Sequence, residues 1–241
     1  MATHERRSIV TGGTRGIGYA TAQALVAEGG RVMLSGRDAV AVDAAVRRLS
    51  DEAGDGSRIG GMAIDIRDRV AVELLVAETA RRFGGLDALV NNAGVGVFTD
   101  AAAMSDADWD RVIDTNLTGP FYATRAAIPE LRRAGGGWII NIASLAGRNY
   151  FPGGSAYCAS KAGLIAFSEA VMQEVRYDGI RVSVIMPGSV ATEFNGATPG
   201  PDDDWKLSPD DVAQAVMDLL RHPGRSLPSR VELRPSQPRK R

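Results

Sequence analysis

A tyrosine followed four positions later by a lysine, Tyr157-Cys158-Ala159-Ser160-Lys161, is the most chemically informative spacing in this chain. Residues four apart on a helix lie about 40° apart around its axis and so share a face. A free phenol, with its pKa near 10, exchanges protons poorly at neutral pH. Bringing it to about 7 takes roughly 4 kcal/mol of differential stabilisation, which a neighbouring ammonium in a dry pocket can supply. The same ammonium can hydrogen-bond ribose hydroxyls as a compact point charge, where a guanidinium fork fits less well. With 5 tyrosines and three lysines in the chain, chance supplies only about 0.06 such pairs. A surface tyrosine beside an unrelated lysine is the competing reading. The lysine count sharpens the point: of 28 basic residues only Lys161, Lys206 and Lys240 are lysine, and the rest are arginine.

A second constellation is Thr11-Gly12-Gly13-Thr14-Arg15-Gly16-Ile17-Gly18, between an apolar run and a helical stretch. Glycines let backbone approach a pyrophosphate closely, and the unpaired N–H groups of a following helix point at the anion. The spacing alone is weak, because with 28 glycines it arises by chance about 0.4 times. A tight strand-to-helix turn is the alternative, and a P-loop is excluded because no Gly-Lys-Ser/Thr follows. A site for a free ribose 2′-hydroxyl usually carries an acid about 20 residues on. That place reads Ser35-Gly36-Arg37 instead. Arg15 and Arg37 together suit a 2′-phosphate, so NADP(H) is expected over NAD(H), unless both are simply solvated.

Stepping outward from these motifs, short β-branched runs alternate with alanine-rich helical stretches. Strands are expected at 8–11, 31–35, 62–66, 86–91, 137–143 and 181–186, in a sheet of about seven. Helices are expected at 16–28, 38–50, 68–83, 108–133, 155–177 and 209–221, the last behind the cap signal Ser208-Pro209. Strict alternation of this kind implies an α/β fold of one domain, a doubly wound parallel sheet with helices on both faces. Residues 191–207, rich in Gly, Pro and Asp, read as a mobile loop, and the basic tail 234–241 as peripheral.

Composition bounds the partners. The 241 residues carry 28 Lys+Arg against 29 Asp+Glu, a formal net charge of −1, with 44% hydrophobic residues. Such balance gives no field to gather nucleic acid or an anionic membrane, and the mixture is not that of a disordered chain. No apolar run reaches the 18 or so residues of a membrane span, and residues 1–7 do not read as a signal peptide. The lone Cys158 excludes an intrachain disulfide, fits a cytoplasmic location and reads as a small buried neighbour of the tyrosine. Two histidines and one cysteine leave no ligand set for structural zinc, so no metal is expected.

These motifs together identify the chain as resembling the short-chain dehydrogenase/reductase family. Thr11–Gly18 matches its TGxxxGxG loop, Asn91-Asn92-Ala93-Gly94 its NNAG strand end, Tyr157–Lys161 its YxxxK, and Pro187-Gly188 its PG turn. The resemblance implies further roles. Ser144 corresponds to the serine that hydrogen-bonds the substrate carbonyl, and Asn116 to the helix asparagine that holds a water in a proton relay. Read without it, Ser144 is a strand-end cap and Asn116 a packed helix amide. Asp65, with Ile66 beside it, corresponds to the acid near the adenine. Asn91 and Gly94 correspond to the backbone support beside it, Val190 and Thr192 to the segment that holds the nicotinamide carboxamide, and Asn92, Ala93, Pro187 and Gly188 are further cofactor residues.

The resulting expectation is hydride transfer between nicotinamide C4 and a carbonyl or secondary alcohol. Catalysis falls to Asn116, Ser144, Tyr157 and Lys161. The cofactor falls to Gly12, Thr14, Arg15, Gly16, Ile17, Gly18, Arg37 and the residues just named. The small-molecule substrate should meet residues 95–98, 148–152 and 189–207, where Phe98, Tyr150, Phe151, Phe194 and Trp205 are apolar and Arg148 offers an anion contact. A 3-oxoacyl thioester is an alternative substrate, although the family's Val-Asp-Gly-Gly ending is replaced by Val231-Glu232-Leu233-Arg234-Pro235. A catalytically silent dinucleotide sensor or scaffold is the other class of function. The resemblance also implies a homotetramer or homodimer through the helices near 108–133 and 155–177, with Ala126, Ala127, Ala166, Ala170 and Val171 as contact candidates.

Overall fold

Ile9 and Val10 are adjacent in sequence, and neither exposes any surface. A strand sends successive side chains to opposite faces, so both are buried only if both faces of the sheet are covered. The structure, a computed structural model describing residues 5–238, has that form. Residues 1–4, and 239–241 of the tail with Lys240, lie outside the described residues.

Seven parallel strands form one sheet: β1 (Arg7–Thr11), β2 (Arg31–Gly36), β3 (Ile59–Ala63), β4 (Ala88–Asn91), β5 (Gly137–Ile142), β6 (Ile180–Pro187) and β7 (Arg230–Leu233). Their spatial order is β3-β2-β1-β4-β5-β6-β7. Register rows decide the layers. Met33, Ile9, Leu89, Ile139 and Val182 are cross-strand partners in one row. They pack on α3 (Arg69–Phe83), α5 (Gly119–Arg133) and α6 (Ser155–Val175). The next row, Leu34, Val10, Val90 and Ile140, faces the opposite core with α1 (Gly16–Ala27), α2 (Ala39–Ala53) and α7 (Pro209–Arg221). Each fully buried aliphatic side chain contributes about 1.5–3 kcal/mol relative to exposure.

Local chemistry sets the helix starts. Asp38 accepts from the Ala41 N–H at 3.0 Å, and Asp68 from Val70 and Ala71. Ser208 and Asp211 cap each other's backbone at α7, with Pro209 in the first turn. α1 differs, for Arg15 at its N-cap makes no side-chain cap. Its first N–H groups therefore remain available at the end of β1.

Four expectations need correction. The strand placed at 62–66 runs Ile59–Ala63, through Gly60 and Gly61. Glycine argues against a strand, yet here bulk argues for it. A Cβ on Gly61 would lie 2.6 Å from Val42 Cγ1, and one on Gly60 2.9 Å from Met33 Cε. The helix placed at 108–133 is three pieces: α4 (Asp106–Ile113), a π-helical turn (Asp114–Thr118) and α5. In that turn the Gly119 N–H reaches back to the Asp114 carbonyl, five residues away. The tail is not wholly peripheral, because Pro235 and Pro238 line the central cleft. Of the alanine-rich contact candidates, Ala127 and Val171 belong to the interior core, whereas Ala166 and Ala170 are exposed. β7, which no expected strand covered, is a half-exposed edge. Among the described residues no helix is long and apolar enough to cross a membrane.

Candidate active site

In an open parallel sheet the ligand crevice lies beyond the carboxyl ends of the strands, where the strand order reverses. Here the reversal falls between β1 and β4, and a cleft of about 1390 Å³ opens there. Of the expected catalytic and cofactor residues, all line it except Gly18, Asn91 and Asn116.

The glycine loop is laced to β4 rather than floating. Thr11 Oγ1 accepts from the Asn92 and Ala93 N–H groups at 3.0 and 3.1 Å. The Asn92 amide donates to the Thr11 and Gly12 carbonyls, both at 3.0 Å. Gly12 has φ +64 and sits so close that a Cβ would lie 2.9 Å from Ala93 Cα. Gly18 faces the same crowding, since a Cβ there would collide with the Gly12 carbonyl oxygen. Gly18 therefore closes the loop from beneath and touches nothing in the cleft. The bare backbone at the uncapped start of α1 fits a pyrophosphate.

At the adenosine end, Arg15 and Arg37 are exposed cleft residues and form no salt bridge among the described residues. Asp65 is otherwise engaged: the Arg67 guanidinium grips both its oxygens, at 2.6–3.0 Å. That hydrogen bond, with Arg37 acting through space, holds the Asp65 carboxyl below its ordinary range.

The opposite end is more enclosed, with Lys161 buried and Ser144 and Tyr157 half-buried. Ser144, just past β5, has its Oγ 3.1 Å from the Ala146 N–H, the cap expected of a strand-end serine. Its hydroxyl neighbours the Tyr157 phenol and acts to lower that group's pKa. Lys161, on the same helix one turn later, is only 4% exposed and donates to the Ile142 carbonyl at 2.9 Å. Its Nζ lies 5.8 Å from the Tyr157 ring centroid. Burial brings the Lys161 pKa down to about 8. Burial dominates and pushes the Tyr157 pKa up, with the neighbouring Ser144 pulling the other way.

Asn116 sits in the π-helical turn and is fully buried. Its Oδ1 accepts from the Val95 N–H at 2.8 Å, and its Nδ2 donates to the Val95 carbonyl at 2.9 Å and to Ser160 Oγ at 3.0 Å. Both amide protons are thus committed, and the side chain braces the segment after β4 against α6 instead of presenting a donor to water. A second buried chain runs beneath: Asn91 donates to Thr124 and Asn141, and Asn141 donates to Ser168. It ties β4 and β5 to both flanking helices.

On the substrate side, Phe98, Phe151, Phe194 and Trp205 line the cleft, whereas Tyr150 is 71% exposed and does not. Arg148 is paired with Glu232 at 3.0 Å, which removes the anion contact expected of it. Sequence reasoning missed Ile142, whose carbonyl holds Lys161, and the Val95 backbone. Neither has a side-chain signal, because the backbone atoms do the work.

Comparison with known proteins fits this geometry. The short chain dehydrogenase family model matches residues 6–201, and the chain belongs to that family of oxidoreductases. A 3-oxoacyl-[acyl-carrier-protein] reductase from Synechocystis is 39% identical over 192 residues, covering 78% of this chain and 75% of that one. Among solved structures, an alcohol dehydrogenase from the archaeon Thermococcus sibiricus, complexed with 5-hydroxy-NADP, superposes with TM-score 0.89 at 29% identity, over 97% of this chain and 98% of that one. A metagenomic short-chain oxidoreductase in complex with NADP reaches TM-score 0.85 at 34% identity, over 99% and 100%.

Proposed function

We propose that this oxidoreductase uses NADP(H) in preference to NAD(H) and reduces a carbonyl, with Tyr157 as the proton donor. The observation that carries this reading is the gathering of Ser144, Tyr157 and the buried, carbonyl-held Lys161 on one wall of the cleft. The bound nicotinamide supplies the hydride. Ser144 hydrogen-bonds the carbonyl oxygen and Tyr157 gives that oxygen its proton, so the developing alkoxide is compensated in a site poor in water. Burial keeps the Tyr157 pKa above its ordinary value, so the phenol carries the proton it is to give at neutral pH. Lys161 holds the ribose, and Asn116 positions the segment beside Gly94. The unpaired guanidiniums of Arg15 and Arg37 are the grounds for preferring a 2′-phosphate, and NADP-bound neighbours agree with it.

NADPH oxidation against a panel of ketones, aldehydes and 3-oxoacyl thioesters tests the reading. Turnover with at least one carbonyl is expected. Tight NADPH binding with no turnover on any would mark a sensor instead, a role that needs neither hydroxyl. Homo-oligomerisation belongs to the same proposal. Trp109 and Phe121 are 41% and 38% exposed on α4 and α5, and Arg125 lies over the rings of Phe121 and Tyr122. Light scattering should give a mass of two or four chains.

A further inference from the structure

The catalytic tyrosine is enclosed by rings. Phe98 meets the Tyr157 ring edge-on at 5.6 Å between centroids, Phe194 lies tilted against it at 5.8 Å, and Phe151 extends the cluster from Phe98 at 5.9 Å. These three phenylalanines come from separate segments: the loop after β4, the loop before α6, and the stretch after β6. Two of the segments supply glycines as seats. A Cβ on Gly96 would lie 2.9 Å from Phe98 Cζ and 3.0 Å from Phe194 Cε1, and one on Gly154 2.5 Å from Phe151 Cε2. Any side chain at those positions would displace the rings.

Such a cluster is not closed like a core. Phe98, Phe151 and Phe194 remain 46%, 42% and 37% exposed although they touch one another or the tyrosine. Apolar surface left open in a concave site is surface that a ligand covers. Aromatic groups in particular gain from tilted and edge-on neighbours with centroids about 4.5–7 Å apart. The charges at this end point away from an anionic substrate. Lys206 is paired with Asp203 at 2.6 Å, Arg234 with Glu232 at 2.9 Å, and Arg111 with Asp108 at 2.8 Å. Glu193 adds an acid to the same wall.

Building on the carbonyl-reductase reading above, we infer that the substrate is a neutral ketone or aldehyde bearing an aromatic ring on, or one carbon from, the carbonyl. Phe98, Phe151 and Phe194 set that specificity. The conversion balances as before: the carbonyl carbon takes the hydride, its oxygen takes the Tyr157 proton, and NADPH leaves as NADP⁺. The phenol then recovers its proton from solvent.

The test uses the full-length protein with NADPH and three probes: phenylacetone, cyclohexylacetone and a 3-oxobutyryl N-acetylcysteamine thioester. The two ketones have carbonyls of similar electrophilicity and differ in the flat ring. A kcat/KM preference for phenylacetone over cyclohexylacetone of about tenfold is expected, falling roughly fivefold in Phe194→Leu and in Phe98→Leu. Gly96→Ala, which removes no ring but pushes Phe98 and Phe194 aside, should lower the same ratio. Turnover of both ketones without aryl preference, a preference untouched by all three variants, or a preference for the thioester would overturn the inference and leave carbonyl reduction standing. NADPH binding with no turnover of any probe would overturn both.

Discussion

The two ends of the cleft are built on opposite principles. At the adenosine end, Arg15 and Arg37 stand in water with no salt-bridge partner among the described residues. At the catalytic end, Lys161 is 4% exposed and carbonyl-bound, and Tyr157 is pressed among rings. Exposed charge attracts an anion cheaply but is screened by salt. Buried groups hold geometry and a protonation state, at the cost of desolvation. In the proposed function, one end selects the cofactor and the other governs the proton.

Removing the proton donor should have the largest effect. Tyr157→Phe is expected to lower kcat about 1000-fold with NADPH affinity nearly unchanged. Near-wild-type turnover in stopped-flow or steady-state assays would erase the catalytic end from the comparison.

The adenosine end comes next. Arg37→Asp should weaken NADPH about 100-fold while NADH loses little, because one charge-assisted contact to the 2′-phosphate is replaced by repulsion. The wild-type Kd for NADPH should also rise with salt more steeply than that for NADH. Parallel salt slopes would show that the two arginines are ordinary solvated side chains.

The smallest effect sharpens the buried end. Lys161 has a folded pKa of about 8 against an ordinary 10.5. The folded state therefore releases this proton before the unfolded state does, and stability should rise with pH between about 8 and 10.5. Below pH 8 both states carry the proton and the cost of burying it is fully present. A thermal-melt series against Lys161→Met should show the difference shrinking across that window. A pH-independent difference would mean that the ammonium is not desolvated as its burial indicates.

The sequence makes the anchors legible where side-chain type is the chemistry. Tyr157, Lys161 and Ser144 meet as their spacing and the family resemblance imply, and the glycine loop lies where strand gives way to helix. The doubly buried strands also follow from their continuous apolar runs, with Ile9 and Val10 entering opposite cores. Misplacement came where backbone or bulk decides. β3 includes Gly60 and Gly61 because Met33, Val42 and Val46 leave no room for a Cβ, which no propensity reports. The π-helical turn at Asn116 lies inside a stretch whose periodicity is helical throughout. The carbonyl that holds Lys161 belongs to Ile142, a residue whose side chain announces only a strand. The direction of the Tyr157 pKa depends on how deeply the ring is enclosed, and that enclosure comes from segments far apart in the chain.

The most direct measurement follows the hydride itself. NADPH carrying deuterium at both C4 positions of the nicotinamide is turned over with a reducible ketone, and the alcohol is weighed by mass spectrometry for the wild type and Tyr157→Phe. One deuterium on the carbinol carbon of the wild-type product is expected, with product from the variant reduced about 1000-fold. An alcohol without the label, or equal labelled product from the variant, would contradict the assignment.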